Sequence, residues 1–303
     1  MLEPIFETNF LNFSYGFRPG RRAYDAIDKI RRSIRFERQY IVIDADMTTS
    51  FDSIRKQLLM ELVERRVNAP RVIRLLWKWL DAGVMDDGRY FKADEFGTPQ
   101  GSVMSPLLAN IYLHAFDKMF QLSGIPGTLG RYADDFVILL RGNGKAVVDW
   151  VRRKVAQLGL KLHPEKTRIV HARRGFDFLG VHFRLRPVLK RGSRLKYSCR
   201  LWPSDRSMKR IKQRIREVIG RKYSLSLEEL ITLLNPVIRG WNNYQTRIRS
   251  ERKRFFHLNQ FVWNRLRMFL KRKYDDPTRG TRRASPELFE RLGLVQFGRA
   301  WVF

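Results

Sequence analysis

Two adjacent carboxylates, Asp134 and Asp135, stand between runs that read as β-strand, Thr128 to Arg131 and Phe136 to Leu140. A tight hairpin there pushes both acids to its tip. An Asp-Asp pair in a turn is commonly only a solvated turn, because Asp tolerates that backbone and caps it with its own side chain. Chemistry begins when a third acid arrives from another strand, and Asp46, just past the apolar run Tyr40-Ile41-Val42-Ile43, is the candidate. Three such acids can hold two Mg²⁺ ions roughly 3.5–4 Å apart, an arrangement that activates an attacking oxygen and stabilises a leaving pyrophosphate. Mg²⁺ suits it, since this ion prefers a few carboxylates plus substrate phosphates to an all-protein cage. Asp86-Asp87-Gly88 is the contrasting case: between Val84-Met85 and Arg89-Tyr90-Phe91 it carries the Asp-Gly hairpin signal and nothing chemical.

The surrounding pattern must supply a sheet that presents these acids on one face and helices that cover the other. Apolar residues recur at helical spacing over Phe51 to Arg66 and Pro70 to Leu80, and Ser105 to Leu122 reads as a long, largely buried helix opening on a Ser-Pro signal. Lys145 to Leu158 is an amphipathic helix, and Lys161 to Phe183 a series of short strands. Three further helical stretches follow, about Asp205 to Ile219, Ser226 to Tyr244 and Glu251 to Tyr274. The expected class is α+β: an antiparallel sheet backed by helices, then a basic helical domain. Composition shift and the Arg200-Leu201-Trp202-Pro203-Ser204-Asp205 punctuation put the boundary near 187–204.

The 303 residues carry 60 Lys and Arg against 30 Asp and Glu, a net charge of +30, far beyond what solubility requires. Such an excess implies a polyanionic partner, bound by phosphate neutralisation and counterion release. It is uneven: 187–303 holds 29 basic and 9 acidic residues, 1–186 holds 31 and 21. Clusters such as Lys209-Arg210-Ile211-Lys212-Gln213-Arg214 interleave charge with apolar residues, so that one helix face packs while the other meets phosphate. The sole cysteine, Cys199, excludes an internal disulfide framework and a cysteine-rich zinc site. No apolar run reaches the roughly 18–20 residues that span a bilayer, and the start lacks a charged-then-apolar signal. A soluble, cytoplasmic, nucleic-acid-associated protein is expected, with no membrane partner.

Six blocks in one order carry a resemblance. Ser14-Tyr15-Gly16-Phe17-Arg18-Pro19-Gly20-Arg21 with Asp25-Ala26-Ile27 comes first, then Ile43-Asp44-Ala45-Asp46 with Phe51-Asp52. Gly97-Thr98-Pro99-Gln100-Gly101-Ser102 with Ser105 to Asn110, Tyr132 to Asp135, His163-Pro164-Glu165-Lys166-Thr167 and Phe178-Leu179-Gly180 complete the series. The chain resembles the reverse transcriptases encoded by group II introns, the intron maturases. Leu234 to Tyr244 resembles the intron-binding maturase domain.

The resemblance implies partial fingers over 1–36, a polymerase palm over 37–186 and a helical thumb/maturase domain over 187–303 that binds RNA. It implies Asp46, Asp134 and Asp135 as catalytic acids, with the Met47 backbone carbonyl as a further metal ligand and Asp135 acting from slightly further out. Phe51 stands where members place a ring beneath the incoming sugar, which favours deoxynucleotides; the alternative is an ordinary core Phe. Gln100 would contact the nucleotide by donating and accepting hydrogen bonds, or mark a plain Gly-Pro turn. Lys166 would protonate the departing pyrophosphate or steady its charge, or be a solvated lysine at a strand edge. Phe178, Leu179 and Gly180 would grip the primer end, or belong to the core. Arg239 and Asn242 are candidates for RNA contact.

Departures count as well. Members commonly follow the first acid with a Lys-Gly pair and an aromatic, whereas this chain has Met47-Thr48-Thr49-Ser50. Met1 to Glu7 resembles the middle of a full-length member, so an N-terminal extension and first fingers block are expected to be missing, leaving Arg18, Arg21 and Arg22 to meet template and phosphates. The implied activity is RNA-directed DNA polymerisation: an RNA template, a DNA or RNA primer, deoxynucleoside triphosphates and two Mg²⁺ ions, with intron RNA binding that assists splicing. The competing expectation is a noncatalytic RNA-binding maturase whose palm is a relic.

Overall fold

The computed structural model describes residues 2–48, 54–82, 84–86, 89–91, 104–188, 196–245, 252–275 and 284–298. The chain forms two compact units, one of residues 1–179 and 184–199, the other of 180–183 and 200–303.

The first unit is built on β1 (Ile41–Thr48), an eight-residue strand with antiparallel neighbours on both sides. Its sheet also contains β4 (Gly127–Tyr132), β5 (Asp135–Leu140), β6 (Lys161–Leu162) and β7 (Arg168–His171), in the order β4–β5–β1–β6 with β7 paired to β1 as well. Strand alternation divides β1 cleanly. Ile43, Ala45 and Met47 are buried on one face, together with Leu129, Phe136, Ile138 and Leu140 of the neighbouring strands. This face is covered by α3 (Lys56–Glu64), α4 (Pro70–Asp81), α5 (Ser105–Leu122) and α6 (Lys145–Gln157). Each fully buried Leu, Ile, Val or Phe there contributes about 1.5–3 kcal/mol, so the register is strongly specified: a one-residue slip would turn the apolar set outward.

The opposite face carries Val42, Asp44 and Asp46 on β1 and Asp135, Val137 and Leu139 on β5. At one end it is sealed by α2 (Ala23–Arg35), whose Ile27, Ile30 and Ile34 are buried. The Gly130 backbone lies so close that an added Cβ would come 2.7 Å from Ile30 Cδ1. The acids stand at the other end of these strands. A short α1 (Glu3–Glu7) precedes α2, and the expected hairpin around Asp86-Asp87-Gly88 is formed by β2 (Val84–Asp86) and β3 (Arg89–Phe91). The helix expected from Phe51 begins at Lys56, with Ile54 and Arg55 outside it. Strands β8 (Phe176–Phe178), β9 (Val181–Val188) and β10 (Lys196–Pro203) form a second sheet in the order β10–β9–β8.

The second unit contains α7 (Asp205–Ile219), α8 (Leu227–Gln245), α9 (Arg252–Lys273) and α10 (Pro286–Arg291). Ser204 caps α7 by accepting from the Ser207 N–H at 3.2 Å. Ser226 and Glu229 form a reciprocal capping box before α8, the Glu229 N–H donating to Ser226 Oγ and the Ser226 N–H to the Glu229 carboxylate. Ile211, Ile215, Ile219, Leu230, Leu234, Ile238, Leu258, Val262 and Leu266 pack together at intervals of four along each helix, which leaves the charged faces of these helices outward.

Candidate active site

The register of β1 against β5 makes Asp46 and Asp135 direct Cα partners. In an antiparallel pair this places their Cα atoms about 4.5–5.5 Å apart. Tyr132 is the partner of Asp135 on the other side, so Tyr132, Asp135 and Asp46 form one row across three strands. Between Tyr132 and Asp135 only Ala133 and Asp134 turn the chain, and Ala133 adopts φ +56°. Positive φ at the first central residue alone is the signature of a type II′ turn, a position where glycine is usual. Two residues along, on the same face, lie Gly130, Val137, Asp44 and Arg168 in one row.

Electrostatics follow from this crowding. Asp135 is exposed at its edge, yet withdrawal of its carboxyl from bulk water, and then repulsion from Asp134, Asp46 and Asp44, push its pKa up to about 6 despite nearby Lys166. Lys166 forms an ion pair with Asp46 Oδ2. Burial raises the Asp44 pKa, opposed by Arg168, whose Nε and Nη2 both lie 2.9 Å from Asp44 Oδ2. The Asp46 carbonyl accepts the His163 N–H at 2.9 Å, fixing the His163 to Thr167 segment that carries Lys166 beside the strand end.

Asp46, Asp134 and Asp135 are therefore brought together, and Lys166 joins them. Their oxygens are the hard donors a divalent cation takes. Negative charge is concentrated enough to raise one carboxyl and draw in an ammonium, so the residues fit such a cation in kind. Among the described residues, no group of three or more His, Cys, Asp or Glu side chains is already disposed to hold one. Met47 is buried, on the strand beside Asp46. Phe51 and Gln100, with the whole Gly97 to Ser102 block, lie outside the described residues.

Two expectations are corrected. Arg18 is 6 % exposed, and its guanidinium is committed to Glu7, the Leu11 and Ser14 carbonyls and the Phe10 carbonyl. It ties down the N-terminal segment and does not face RNA. Asn242 is 2 % exposed; its Nδ2 donates to the Gln296 carbonyl at 2.8 Å and its Oδ1 accepts the Gly298 N–H at 3.2 Å. Its amide is used up inside the second unit. Arg21 is half-buried and bonded to Asn12, whereas Arg22 and Arg239 are on the surface. The Phe178 ring is buried, and Leu179 and Gly180 form the turn after it, both at positive φ.

Sequence reasoning passed over Asp44, although its two-residue spacing from Asp46 places both on one strand face. It also passed over Arg131, Asp117, Asn110 and Ser14. Asn110 and Asp117 are seven apart in α5, two helical turns, and their polar character within an apolar run was the available signal.

A model of the reverse transcriptase (RNA-dependent DNA polymerase) family matches residues 1–183, and one of the group II intron, maturase-specific domain matches residues 208–285. The chain belongs to the reverse transcriptase family, and its second unit carries the match to the group II intron maturase-specific domain. Protein YkfC of Escherichia coli K12 is 35% identical over 218 residues, covering 59% of this chain and 57% of that protein. The group II intron-encoded protein LtrA of Lactococcus lactis subsp. cremoris is 27% identical over 331 residues, covering 80% and 54% respectively. The chain thus spans little more than half the length of these relatives. Among solved structures, telomerase from Candida albicans, in complex with a fragment of telomeric RNA, aligns over 94% of this chain and 54% of its own, with 13% identity and a TM-score of 0.47.

Proposed function

We propose that this chain acts as an RNA-directed DNA polymerase, joining a deoxynucleoside triphosphate to a primer 3′-hydroxyl on an RNA template. The observation that carries the reading is the pairing of Asp46 with Asp135 beside the Ala133-Asp134 turn, which brings carboxylates of β1, β5 and the turn before β5 to one end of the sheet. In this reading Asp46, Asp134 and Asp135, with the Met47 carbonyl, would hold two Mg²⁺ ions, which when bound lower the barrier by neutralising charge on the triphosphate and the attacking oxygen. Lys166 would leave Asp46 for the departing pyrophosphate, a change its exposed, four-carbon stem permits. The outward turn at Leu179 and Gly180, with Phe178 anchoring it from the core, would meet the primer end. Phe51 and Gln100 would contact sugar and base. The exposed Lys209 and Arg210 face of α7, with Arg239, would bind intron RNA, in the role the maturase-type match suggests.

Primer extension on an RNA template with Mg²⁺ is the test. Loss of extension in Asp134→Ala, at unchanged RNA affinity, is the expected result. The ion pair of Lys166 with Asp46, which occupies an oxygen that a metal ion would need, favours a second reading, a noncatalytic RNA-binding maturase. That reading wins if neither wild type nor Asp134→Ala extends a primer while both hold RNA tightly.

A further inference from the structure

The acid-bearing turn is gripped from behind. Arg131 lies on the helix-covered face of β4 and is completely buried, as is Asp117 of α5. Its Nε donates to Asp117 Oδ1 at 2.8 Å and its Nη2 to Asp117 Oδ2 at 2.6 Å. Nη1 donates to Asn110 Oδ1 at 3.1 Å and to the Ala133 carbonyl at 3.0 Å, and Nη2 also to Ser14 Oγ at 2.6 Å. A guanidinium has five N–H donors, and all five are spent here. Asn110 in turn donates through Nδ2 to the Gly16 carbonyl at 2.7 Å. Backbone bonds run from the Tyr15 N–H to the Arg131 carbonyl and from the Arg131 N–H to the Phe13 carbonyl, both 2.9 Å. Gly16 lies so tightly on the turn that an added Cβ would collide with the Ala133 nitrogen.

We infer that Arg131 is a positioning residue for the acid pair. Its fork locks the carbonyl of Ala133, a non-glycine residue at positive φ, and so fixes the peptide that aims Asp134. Conformations of this kind persist only where the surroundings over-determine them, and here Asp117, Asn110 and Ser14 do so through one guanidinium. The clamp also couples the Phe13 to Gly16 segment to the turn that carries the acids. Its kinetic consequence rests on the polymerase reading; its structural consequence does not.

The test variant is Arg131→Lys, which keeps the charge opposite Asp117 but offers one nitrogen in place of a planar fork. A folded variant is expected to show hydrogen exchange in peptides covering 128–140 faster by about tenfold, with the rest of the sheet unchanged. The Mg²⁺ concentration for half-maximal extension should rise about 10–100-fold, the range seen when supporting groups behind metal ligands are lost. A melting temperature near that of wild type would separate this shift from general destabilisation. Unchanged exchange over 128–140 overturns the inference, as does extension with wild-type Mg²⁺ dependence. Should wild type itself not extend a primer, the polymerase reading falls and the exchange measurement alone decides the clamp. If Arg131→Lys does not fold, Arg131→Met with Asp117→Leu exchanges the buried ion pair for apolar groups, a replacement that buried pairs often tolerate. Exchange over 128–140 equal to wild type in that variant likewise overturns the inference.

Discussion

His114 lies on α5 between Asn110 and Asp117, on the stripe that faces the Arg131 clamp. Both its ring nitrogens are buried without a hydrogen-bond partner among the described residues, and the Phe10 ring stands edge-on at 5.5 Å. Burial lowers its pKa from 6.5 to about 4, with Asp117 opposing the shift. The folded chain therefore keeps this ring neutral while the unfolded chain protonates it below pH 6.5. Stability from this residue is complete above pH 6.5 and is lost as the pH falls toward 4. Urea denaturation of wild type and His114→Gln at pH 7.5 and pH 5 should show a smaller pH-dependent loss in the variant. An equal loss in both would mean that the ring accepts a proton in the folded state as readily as in the unfolded one.

At the scale of elements, α8 and α9 grip an irregular segment by asparagines. Asn235 bonds the Gly293 carbonyl and Val295 N–H, Asn242 the Gln296 carbonyl and Gly298 N–H, and Asn259 both polar groups of Phe297. Each side-chain amide stands in for a strand neighbour that 293–298 does not have. Trp241, half-buried, is wedged against Phe255 and Phe297, at 5.9 and 5.1 Å between ring centres, which holds it against the edge of the core. Asn242→Ala leaves a buried carbonyl and N–H unpaired, so it should destabilise the protein by about 2–4 kcal/mol. Thermal unfolding checks this, and RNA affinity of the folded variant should remain that of wild type. A stable variant with weakened RNA binding would restore Asn242 to the interface.

Across the whole molecule, charge is the dominant feature, with the excess weighted toward 187–303. On α7 it has a definite address. Ile211, Ile215 and Ile219 face inward while Lys209, Arg210, Arg214 and Arg216 are exposed, and Lys212 and Arg216 lie over the Phe261 ring at 5.5 and 5.2 Å. Replacing Lys209 and Arg210 by Gln should weaken RNA binding for all sequences alike. It should also flatten the plot of log affinity against log salt by about 1.4–1.8, two phosphate contacts' worth. An unaltered slope would show that this face meets solvent only. Among the described residues no helix is long and apolar enough to cross a membrane.

Local rules made much of this legible in the chain. Helical spacing located α4, α5, α7, α8 and α9 almost to the residue, because each buries an apolar face; a proline near the start of α4 and α5 and the Ser204 and Ser226 caps of α7 and α8 mark where four of them begin. Strand and turn signals found the acid hairpin, and motif order identified the family. Contacts across long stretches of sequence were decided by tertiary structure. Whether an arginine serves RNA or a buried acid depends on what the fold packs against it, and only the fold sets Arg18 against Glu7 and Arg131 against Asp117. The β1–β5 register did the same for Asp46 and Asp135, 89 positions apart, since a pairing of that range is fixed by the shared apolar face beneath it rather than by either strand alone.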